Sequence, residues 1–246
     1  MMPPWHLGQL VGFDLETTSA DPLTARIVTA CVAHCGGGQP TKSHTWLTDV
    51  DGEEIPAEAI AIHGVTTERA HAEGADHRSA VEEILNTLSE AIMNGLPTVA
   101  MNARYDLTVL DREAQRYGMT PLTARRGTLR VIDPYVIDNR VDRYRPGKRT
   151  LTHLCQHYEV PLDGAHSAEA DAVAACRVAW RQGRLYPGLA NMSLDELHQA
   201  QVGWAIEQAA SLQAHFRKTN PDAVVEGAWP VVPRQVHVGR VQANDG

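Results

Sequence analysis

Three short motifs contain residues of the types that hydrolyse phosphodiesters. They supply Asp14 and Glu16 in GFDLETT, Asp106 in NARYDLTVL, and His166 with Asp171 in AHSAEADAV. Hydrolysis with two divalent metal ions needs carboxylates that bind the metals and a base that deprotonates water. The sequence therefore predicts a metal-dependent hydrolytic site, provided that the fold brings the three motifs together.

The first two motifs place their carboxylates on regular elements. Asp14 and Glu16 lie two residues apart on a predicted strand, so their side chains project from the same face. Two like charges on an apolar strand are unfavourable unless a cation neutralises them. Asp106 follows Asn102 by four residues, so a helix would place both on one face. Oxygen ligands without cysteine indicate a hard ion, Mg²⁺ or Mn²⁺, rather than zinc.

The third motif combines a loop histidine with a carboxylate near a helix start. Asp171 lies in the first turn of a helix that Ser167 is predicted to cap, where the helix dipole favours an ionised carboxylate. His166 precedes that helix, and histidine is a residue type that suits general-base work on a metal-bound water. A lone histidine or aspartate in such places usually has no catalytic function, so the interpretation depends on the three motifs together.

Composition limits the class of protein. The 246 residues suffice for one core and an appendage, and 43% of them are hydrophobic. The net charge of −8 argues weakly against a nucleic-acid ligand, although clustered metal-binding carboxylates contribute to it. Residues 140–149 carry five basic residues and one acid. A solvated loop and a phosphate-binding patch both remain open, and the position between the second and third motifs favours the patch.

The cellular compartment is predicted from cysteines and apolar runs. The cysteines at positions 31, 35, 155 and 176 lack zinc-site spacing and predict buried thiols in a reducing compartment. No apolar run reaches the length of a membrane span, and the N-terminal residues do not have the pattern of a signal peptide. We therefore expect a cytoplasmic protein without a membrane partner.

The pattern of elements predicts an α/β fold. Strands at residues 10–16, 26–34 and 42–48 are close enough for an antiparallel meander. Two further strands, at 97–102 and 128–133, alternate with helices at 81–93, 103–117, 150–158 and 168–182. Residues 55–68 read as a short helix followed by a loop, and Asp133 with Pro134 reads as a further helix start. These elements predict a mixed five-stranded sheet with helices on both faces.

A domain boundary is predicted near residues 183–191. Ser193 and Glu196 form a capping box before an amphipathic helix that extends to about residue 218. Its predicted apolar stripe consists of Val202, Ile206, Ala209, Leu212 and Phe216. The following stretch is rich in proline and valine and has no helical period. We expect residues 1–183 to form the catalytic domain and residues 184–246 to form a C-terminal helix and an extended tail.

The three motifs, in this order, resemble those of the DnaQ-like exonucleases with the DEDDh signature, the family of the proofreading epsilon subunits of bacterial replicases. The resemblance covers roughly residues 10–182 and includes IPAEAIAIHGVT. The tyrosine variant of the family would have tyrosine at the position of Ser167, so the histidine variant is the better match. Two positions depart from the family pattern: Ser19 stands where glycine is usual, and Met101 stands where many members have histidine.

The resemblance implies a ribonuclease H-like fold and a two-metal 3′–5′ exonuclease that releases nucleoside 5′-monophosphates. By this resemblance Asp14, Glu16 and Asp171 bind one metal, and Asp14 with Asp106 serves the second. His166 then deprotonates the attacking water. Family members contact the terminal nucleotide at the positions of Thr17, Thr18, His63 and Asn102. Each of these four also has a purely structural explanation, as a strand end, a turn or a helix cap.

Several alternatives concern the substrate and the partner. The expected ligand is a single-stranded or frayed 3′ end of DNA, and an exoribonuclease with an RNA substrate remains an alternative. A catalytically silent binding subunit is a third possibility, against which the intact carboxylates and His166 argue. The C-terminal segment, with Trp229 and a Val-Pro run, either contacts a DNA polymerase or packs back on the catalytic domain.

Overall fold

The first three strands form an antiparallel meander. The computed structural model describes residues 3–162, 164 and 166–234. Strand β1 (Gln9–Thr17) pairs with β2 (Ile27–Gly36), and β2 pairs with β3 (Lys42–Leu47), both in antiparallel orientation. The chain leaves β2 through three consecutive glycines with φ values of 78°, 63° and 72°, a left-handed conformation that glycine adopts without strain. The predicted meander is confirmed.

Two short parallel strands complete the sheet. Strand β4 (Thr98–Val99) pairs with β1, and β5 (Val131–Ile132) pairs with β4. The described residues thus form a mixed five-stranded sheet in the order β3-β2-β1-β4-β5, which confirms the predicted fold class. Both parallel strands are shorter than the predicted ranges, because the chain turns into a left-handed residue at Asn102 and into a helix at Pro134.

Helices follow the strands and cover both faces. They are α1 (Ala57–His63), α2 (Thr67–Glu73), α3 (His77–Met93), α4 (Ala103–Arg116), α5 (Pro134–Val141), α6 (Leu151–Tyr158), α7 (Ala168–Leu185), α8 (Pro187–Ala190) and α9 (Leu194–Phe216). The predicted loop before residue 68 was wrong beyond Thr66, whose side chain accepts a hydrogen bond from the N–H of Arg69 and caps α2. Among the described residues, no helix is long and apolar enough to cross a membrane.

Strand β1 divides the core into two layers. Val11, Phe13 and Leu15 pack on the side of α3 and α4, whereas Leu10 packs on the side of α7. Gly12 also faces α7, and a Cβ atom built there would lie 2.4 Å from the carbonyl oxygen of Ala172. Only glycine permits this close approach of α7 to β1. Alternation along the strand therefore directs the side chains of Asp14 and Glu16 toward α7 as well.

The four cysteines are buried. Their thiols are free in the structure, and they belong to Cys31, Cys35, Cys155 and Cys176. Cys31, Cys35 and Cys176 pack in the layer between the sheet and α7. The prediction of buried thiols is confirmed.

Helix α9 packs on the rest of the molecule through its first half. Ser193 and Glu196 form the predicted capping box, which is therefore confirmed. Leu197 and Gln201 are fully buried, and Gln201 bridges the chain at β5 by accepting from the N–H of Asp133 and donating to the carbonyl of Val131. The predicted apolar stripe was partly wrong, because its later members Ile206, Leu212 and Phe216 are exposed. The domain division at residue 183 stays a prediction.

The segment that follows α9 lies along α4. Arg104 donates to the carbonyl of Glu226, and the N–H of Val232 donates to the hydroxyl of Thr108 at 3.0 Å. Between these contacts the Trp229 side chain is buried in the core, with 7% of its surface exposed. Residues 226–233 therefore pack back on α4, and residues 235–246 of the predicted tail lie outside the described residues.

Candidate active site

The carboxylates of the first and third motifs face each other across the gap between β1 and α7. Asp14 and Glu16 lie at the end of β1, on the face that Gly12 shares, and both are half-buried. Asp171 lies in the first turn of α7, next to Ala172, the residue that contacts Gly12. The close packing of strand and helix thus brings these three acids to one place.

The second motif joins this group from the opposite layer. Asp106 is buried in the first turn of α4, and its Oδ1 accepts a hydrogen bond from the N–H of Leu15 at 3.1 Å. Leu15 lies between Asp14 and Glu16, so the structure brings all four predicted carboxylates together. The expected shared helical face with Asn102 was wrong, because Asn102 precedes α4 in a left-handed conformation with φ of 60°.

Burial and mutual repulsion shift the pKa values of these acids upward. Burial raises the pKa of Asp14 well above its usual range, and the charges of Asp106, Asp171 and Glu16 add to the shift. Burial and the charge of Asp171 raise the pKa of Glu16 to about 7. Burial likewise raises the pKa values of Asp106 and Asp171. An ionised cluster of this kind requires positive charge nearby.

A set of metal-ligand atoms lies at the same place. Glu16, His166 and Asp171 each offer one ligand atom, and these atoms lie within 4.8 Å of one another. The Oδ2 atom of Asp171 accepts from the N–H of His166 at 3.3 Å, whereas its buried Oδ1 has no hydrogen-bond partner among the described residues. A buried carboxylate oxygen without a partner is unfavourable, and a cation would satisfy it.

His166 occupies an exposed position at the edge of this group. Its φ of 68° is left-handed, which is uncommon for a residue with a side chain. The hydrogen bond from its N–H to Asp171 fixes the backbone beside α7. The exposed ring can therefore reach solvent as well as the carboxylates.

The two predicted nucleotide contacts at the end of β1, Thr17 and Thr18, differ in burial. The hydroxyl of Thr18 accepts from the N–H of Arg26 at 2.9 Å, and Thr18 is buried, which fits its structural explanation as part of the β1–β2 connection. The half-buried Thr17 donates to the carbonyl of Ser19 at 3.1 Å and contacts the hydroxyl of Tyr105. Thr17 is therefore less buried than Thr18, and it directly follows Glu16 in the sequence.

The other two predicted contacts lie beside the site. His63 is near the backbone of Thr17, and its buried Nε2 atom has no hydrogen-bond partner within the described part of the chain. Burial lowers the pKa of His63, so the neutral ring is favoured. The side chain of Asn102 is exposed and makes no capping hydrogen bond to α4.

Sequence comparison decides the family. A model of the Exonuclease family matches residues 11–179, a range that includes all three motifs. The chain belongs to this exonuclease family. None of the curated proteins compared with it matches its sequence.

Solved structures of exonucleases share the fold. An exonuclease I structure described as suggesting how processivity is achieved superposes with a TM-score of 0.62 at 18% identity, over 75% of this chain and 42% of that one. The structure of E. coli exonuclease I with a zinc ion and single-stranded DNA superposes with a TM-score of 0.64 at 18% identity. This match covers 75% of this chain and 42% of that one. The structure of E. coli exonuclease I with a dT13 oligonucleotide superposes with a TM-score of 0.58 at 19% identity. This match covers 74% of this chain and 43% of that one. The chain spans less than half the length of these proteins.

Two residues of this exonuclease site were missed from the sequence. The hydroxyl of Tyr105 contacts Thr17 and donates to the carbonyl of Ser19, and burial raises its pKa to about 12. Its place directly before Asp106 was the available signal. Asp133 caps α5 as predicted, but it also accepts the N–H groups of Asn102 and Ala103. No local pattern indicates these bonds, because their partners lie about 30 residues away.

The predicted basic patch was wrong for two of its members. Arg145 and Arg149 bind the fully buried carboxylate of Asp138 at 2.8 and 2.7 Å, so they hold the loop after α5 in place. Arg140 pairs with Glu207 at 3.3 Å. Arg143 lies over the ring of Tyr144, which is 87% exposed. This loop therefore offers fewer cations to a phosphate chain than its sequence suggests.

A cleft of about 780 Å³ begins beside Asn102 and runs between α5, α9 and residues 225–229. Three basic residues line it, Arg104, Arg140 and Arg143, and so do three acidic residues, Asp133, Glu207 and Glu226. The charges cancel formally, so the cleft gives no net electrostatic attraction for a nucleic-acid backbone.

Proposed function

We propose that this exonuclease is a two-metal-dependent enzyme that degrades DNA from the 3′ end and releases nucleoside 5′-monophosphates. The observation that carries the proposal is the convergence of Asp14, Glu16, Asp106 and Asp171 with His166 at one end of the sheet. Family membership supports exonuclease chemistry. The polarity, the metals and the DNA substrate belong to the proposal.

The residues present fit divalent metal ions. The buried Oδ1 of Asp171, which has no partner among the described residues, and the raised pKa values of all four carboxyls both favour bound cations. Asp14, Glu16 and Asp171 would bind one ion, and Asp14 with Asp106 would bind the second. Such ions, when bound, stabilise the attacking and leaving oxygens of the phosphodiester. Carboxylate ligands favour Mg²⁺ or Mn²⁺.

The side chains of the chain itself have separate roles in the proposed reaction. The His166 imidazole accepts the proton of the attacking water, and its exposed position allows that proton to pass to solvent. Asp106 keeps one oxygen on the N–H of Leu15, which fixes the orientation of the other. His63 and Asn102 flank the carboxylates and bind the terminal nucleotide, with Thr17 beside them.

The histidine variant of the DnaQ-like family is the more specific assignment that we propose. His166 stands five residues before Asp171 and lies beside it in space, which supports this variant. The enzyme would serve proofreading, repair or phage DNA metabolism in the cytoplasm. A contact with a DNA polymerase would use a surface other than residues 226–234, because that segment is occupied by α4.

DNA is proposed as the substrate on the following grounds. E. coli exonuclease I, which shares this fold at 18–19% identity, is solved with single-stranded DNA, and this analogy favours DNA. No contact among the described residues separates ribose from deoxyribose, and an exoribonuclease is therefore the second candidate. A silent binding subunit is disfavoured, because buried like charges without a function would only lower stability.

The test is digestion of single-stranded DNA and RNA labelled at either end, with Mg²⁺, with Mn²⁺ or with a chelator. We expect stepwise shortening from the 3′ end that requires metal and is lost in Asp14→Asn. The preferred polymer distinguishes the two enzymatic candidates. Internal cleavage or release from the 5′ end would contradict the proposed polarity, and no cleavage by folded protein would favour the silent subunit.

A further inference from the structure

The carboxylate of Asp133 joins three separate segments beside the site. Its Oδ1 accepts from the N–H of Asn102 at 3.0 Å, and its Oδ2 accepts from the N–H of Ala103 at 2.9 Å. Oδ2 also accepts from the indole N–H of Trp229 at 3.2 Å, and Oδ1 accepts from the N–H of Tyr135 at 2.9 Å. Asp133 is 1% exposed, so these bonds form away from water.

The segment that Asp133 holds leads directly to the second-motif carboxylate. Asn102 is left-handed, Ala103 is the first residue of α4, and Asp106 lies in the first turn. The orientation of this first turn depends on the turn that precedes it. Two N–H groups at that turn are fixed by a single carboxylate, whose own orientation is set in part by Trp229.

Trp229 is itself held firmly. Its side chain is buried in the core between the sheet and α4. On either side of it, the carbonyl of Glu226 accepts from Arg104, and the carbonyl of Val232 accepts from Arg112 at 2.9 Å. Glu226, Trp229 and Val232 lie outside the range 11–179 that the family model matches. A segment C-terminal to the matched family domain thus contacts Asp133, the residue that holds the turn before α4.

We propose that Trp229 is a positioning residue of the exonuclease, which fixes the Asn102–Ala103 turn through Asp133 and thereby the place of Asp106. The inference rests on the proposed function and adds the C-terminal segment to its site. Loss of the indole N–H leaves Asp133 with one donor fewer in a buried place, where a hydrogen bond to a charged group is strong.

The test is Trp229→Phe, compared with Trp204→Phe. Trp204 packs on the same core, and its indole N–H has no hydrogen-bond partner in the described part of the chain, so the control loses a similar ring without losing the bond. We expect the Mn²⁺ concentration for half-maximal activity to rise about fivefold to tenfold in Trp229→Phe alone, because part of the free energy of this one hydrogen bond is transmitted to Asp106. Amide exchange at Asn102 and Ala103 should accelerate by a similar factor.

The two readouts separate the possible failures. Unchanged amide exchange in Trp229→Phe relative to Trp204→Phe would overturn the proposal, and so would faster exchange with unchanged Mn²⁺ dependence in an active enzyme. If the wild-type protein degrades no nucleic acid, the proposed function fails, and amide exchange still decides whether Trp229 fixes the turn. Should Trp229→Phe not fold, the wild-type indole proton must exchange no faster than the Asn102 and Ala103 amides; faster exchange would overturn the proposal.

Discussion

The carboxylate of Asp106 accepts a hydrogen bond from the backbone N–H of Leu15 at 3.1 Å. This bond joins the first turn of α4 to the strand residue that separates Asp14 from Glu16. A direct hydrogen bond therefore joins the second motif to the first. One oxygen of Asp106 accepts this backbone hydrogen bond, so the other oxygen is the more available one for a cation, directly or through water.

Asp14→Asn should have opposite effects on activity and stability. We expect activity to fall by about 1000-fold or more, because the carboxylate is proposed to serve both metals. Metal-free protein should become more stable, since burial and neighbouring charges disfavour the ionised form of Asp14. A gain of about 1 kcal/mol would raise Tm by about 2–4 °C at this size.

Exonuclease assays and thermal unfolding in chelator measure these two effects. The matched control is Asp222→Asn, which changes an exposed acid far along the chain. Both quantities should stay near wild-type values in the control. A loss of stability in metal-free Asp14→Asn would show that repulsion among the carboxylates is not the dominant interaction of Asp14.

His166→Ala separates a base from a metal ligand. If the imidazole only accepts a proton, kcat should fall by about 100-fold to 10,000-fold. The affinity for Mn²⁺, measured by calorimetry, should then change little. The structure also places a His166 ligand atom within 4.8 Å of those of Glu16 and Asp171, so a large loss of affinity would assign it to the metal instead. His215→Ala, on the exposed end of α9, is the control.

The stability of metal-free protein should depend on pH through Glu16. Its pKa is about 7 in the folded protein against 4.5 without structure. Between these values the folded state binds more protons than the unfolded state, so the free energy of unfolding decreases as pH rises from 4.5 to about 7. Bound Mn²⁺ offsets the repulsion, and its stabilising effect should therefore grow with pH across this range.

Urea unfolding with chelator or with Mn²⁺, at several pH values in that range, tests this dependence. Glu16→Gln cannot ionise, and its metal-free stability should decrease less steeply with pH than that of the wild type. Equal slopes for the two proteins would exclude Glu16 as a source of the pH dependence.

Elements built from local contacts were predictable from sequence. The meander follows from alternating apolar residues and the three glycines after β2, and the capping box at Ser193 marked the start of α9. Helix α2 was missed because it is short and follows Gly64, which ends α1 in a left-handed conformation with φ of 73°. The sequence signal for α2 was the capping residue Thr66, and no apolar periodicity accompanied it.

Interactions between distant segments were not predictable. The bond from Trp229 to Asp133 spans 96 residues, and nothing near either residue indicates the other. For the arginines of residues 140–149 a phosphate-binding patch was favoured over a solvated loop, because the buried Asp138 that binds two of them lies outside the basic run. The motif acids were found because their residue types are unfavourable on buried elements, and their assigned roles stay predictions.

Glu113→Gln should destabilise the protein strongly. Its fully buried carboxylate accepts from Arg26 at 3.0 Å and lies 3.1 Å from Nε2 of His77 and 3.0 Å from Arg116. Removal of the charge leaves the buried guanidinium of Arg26 with the neutral hydroxyl of Tyr117 and two exposed carboxylates, at a cost of about 3 kcal/mol. Glu73→Gln breaks an exposed pair with Arg69 and should cost less than about 0.5 kcal/mol. Chemical unfolding of both variants decides the comparison.

Gly12 has no side chain with which to bind a metal or a nucleotide, yet it sets how near α7 can come to β1. A methyl group there would displace Ala172 and, with it, the neighbouring Asp171. A saturation screen for nuclease activity would therefore rank residue 12 among the catalytic positions. The absence of a side chain at Gly12 thus sets the distance between β1 and α7, and with it the width of the site.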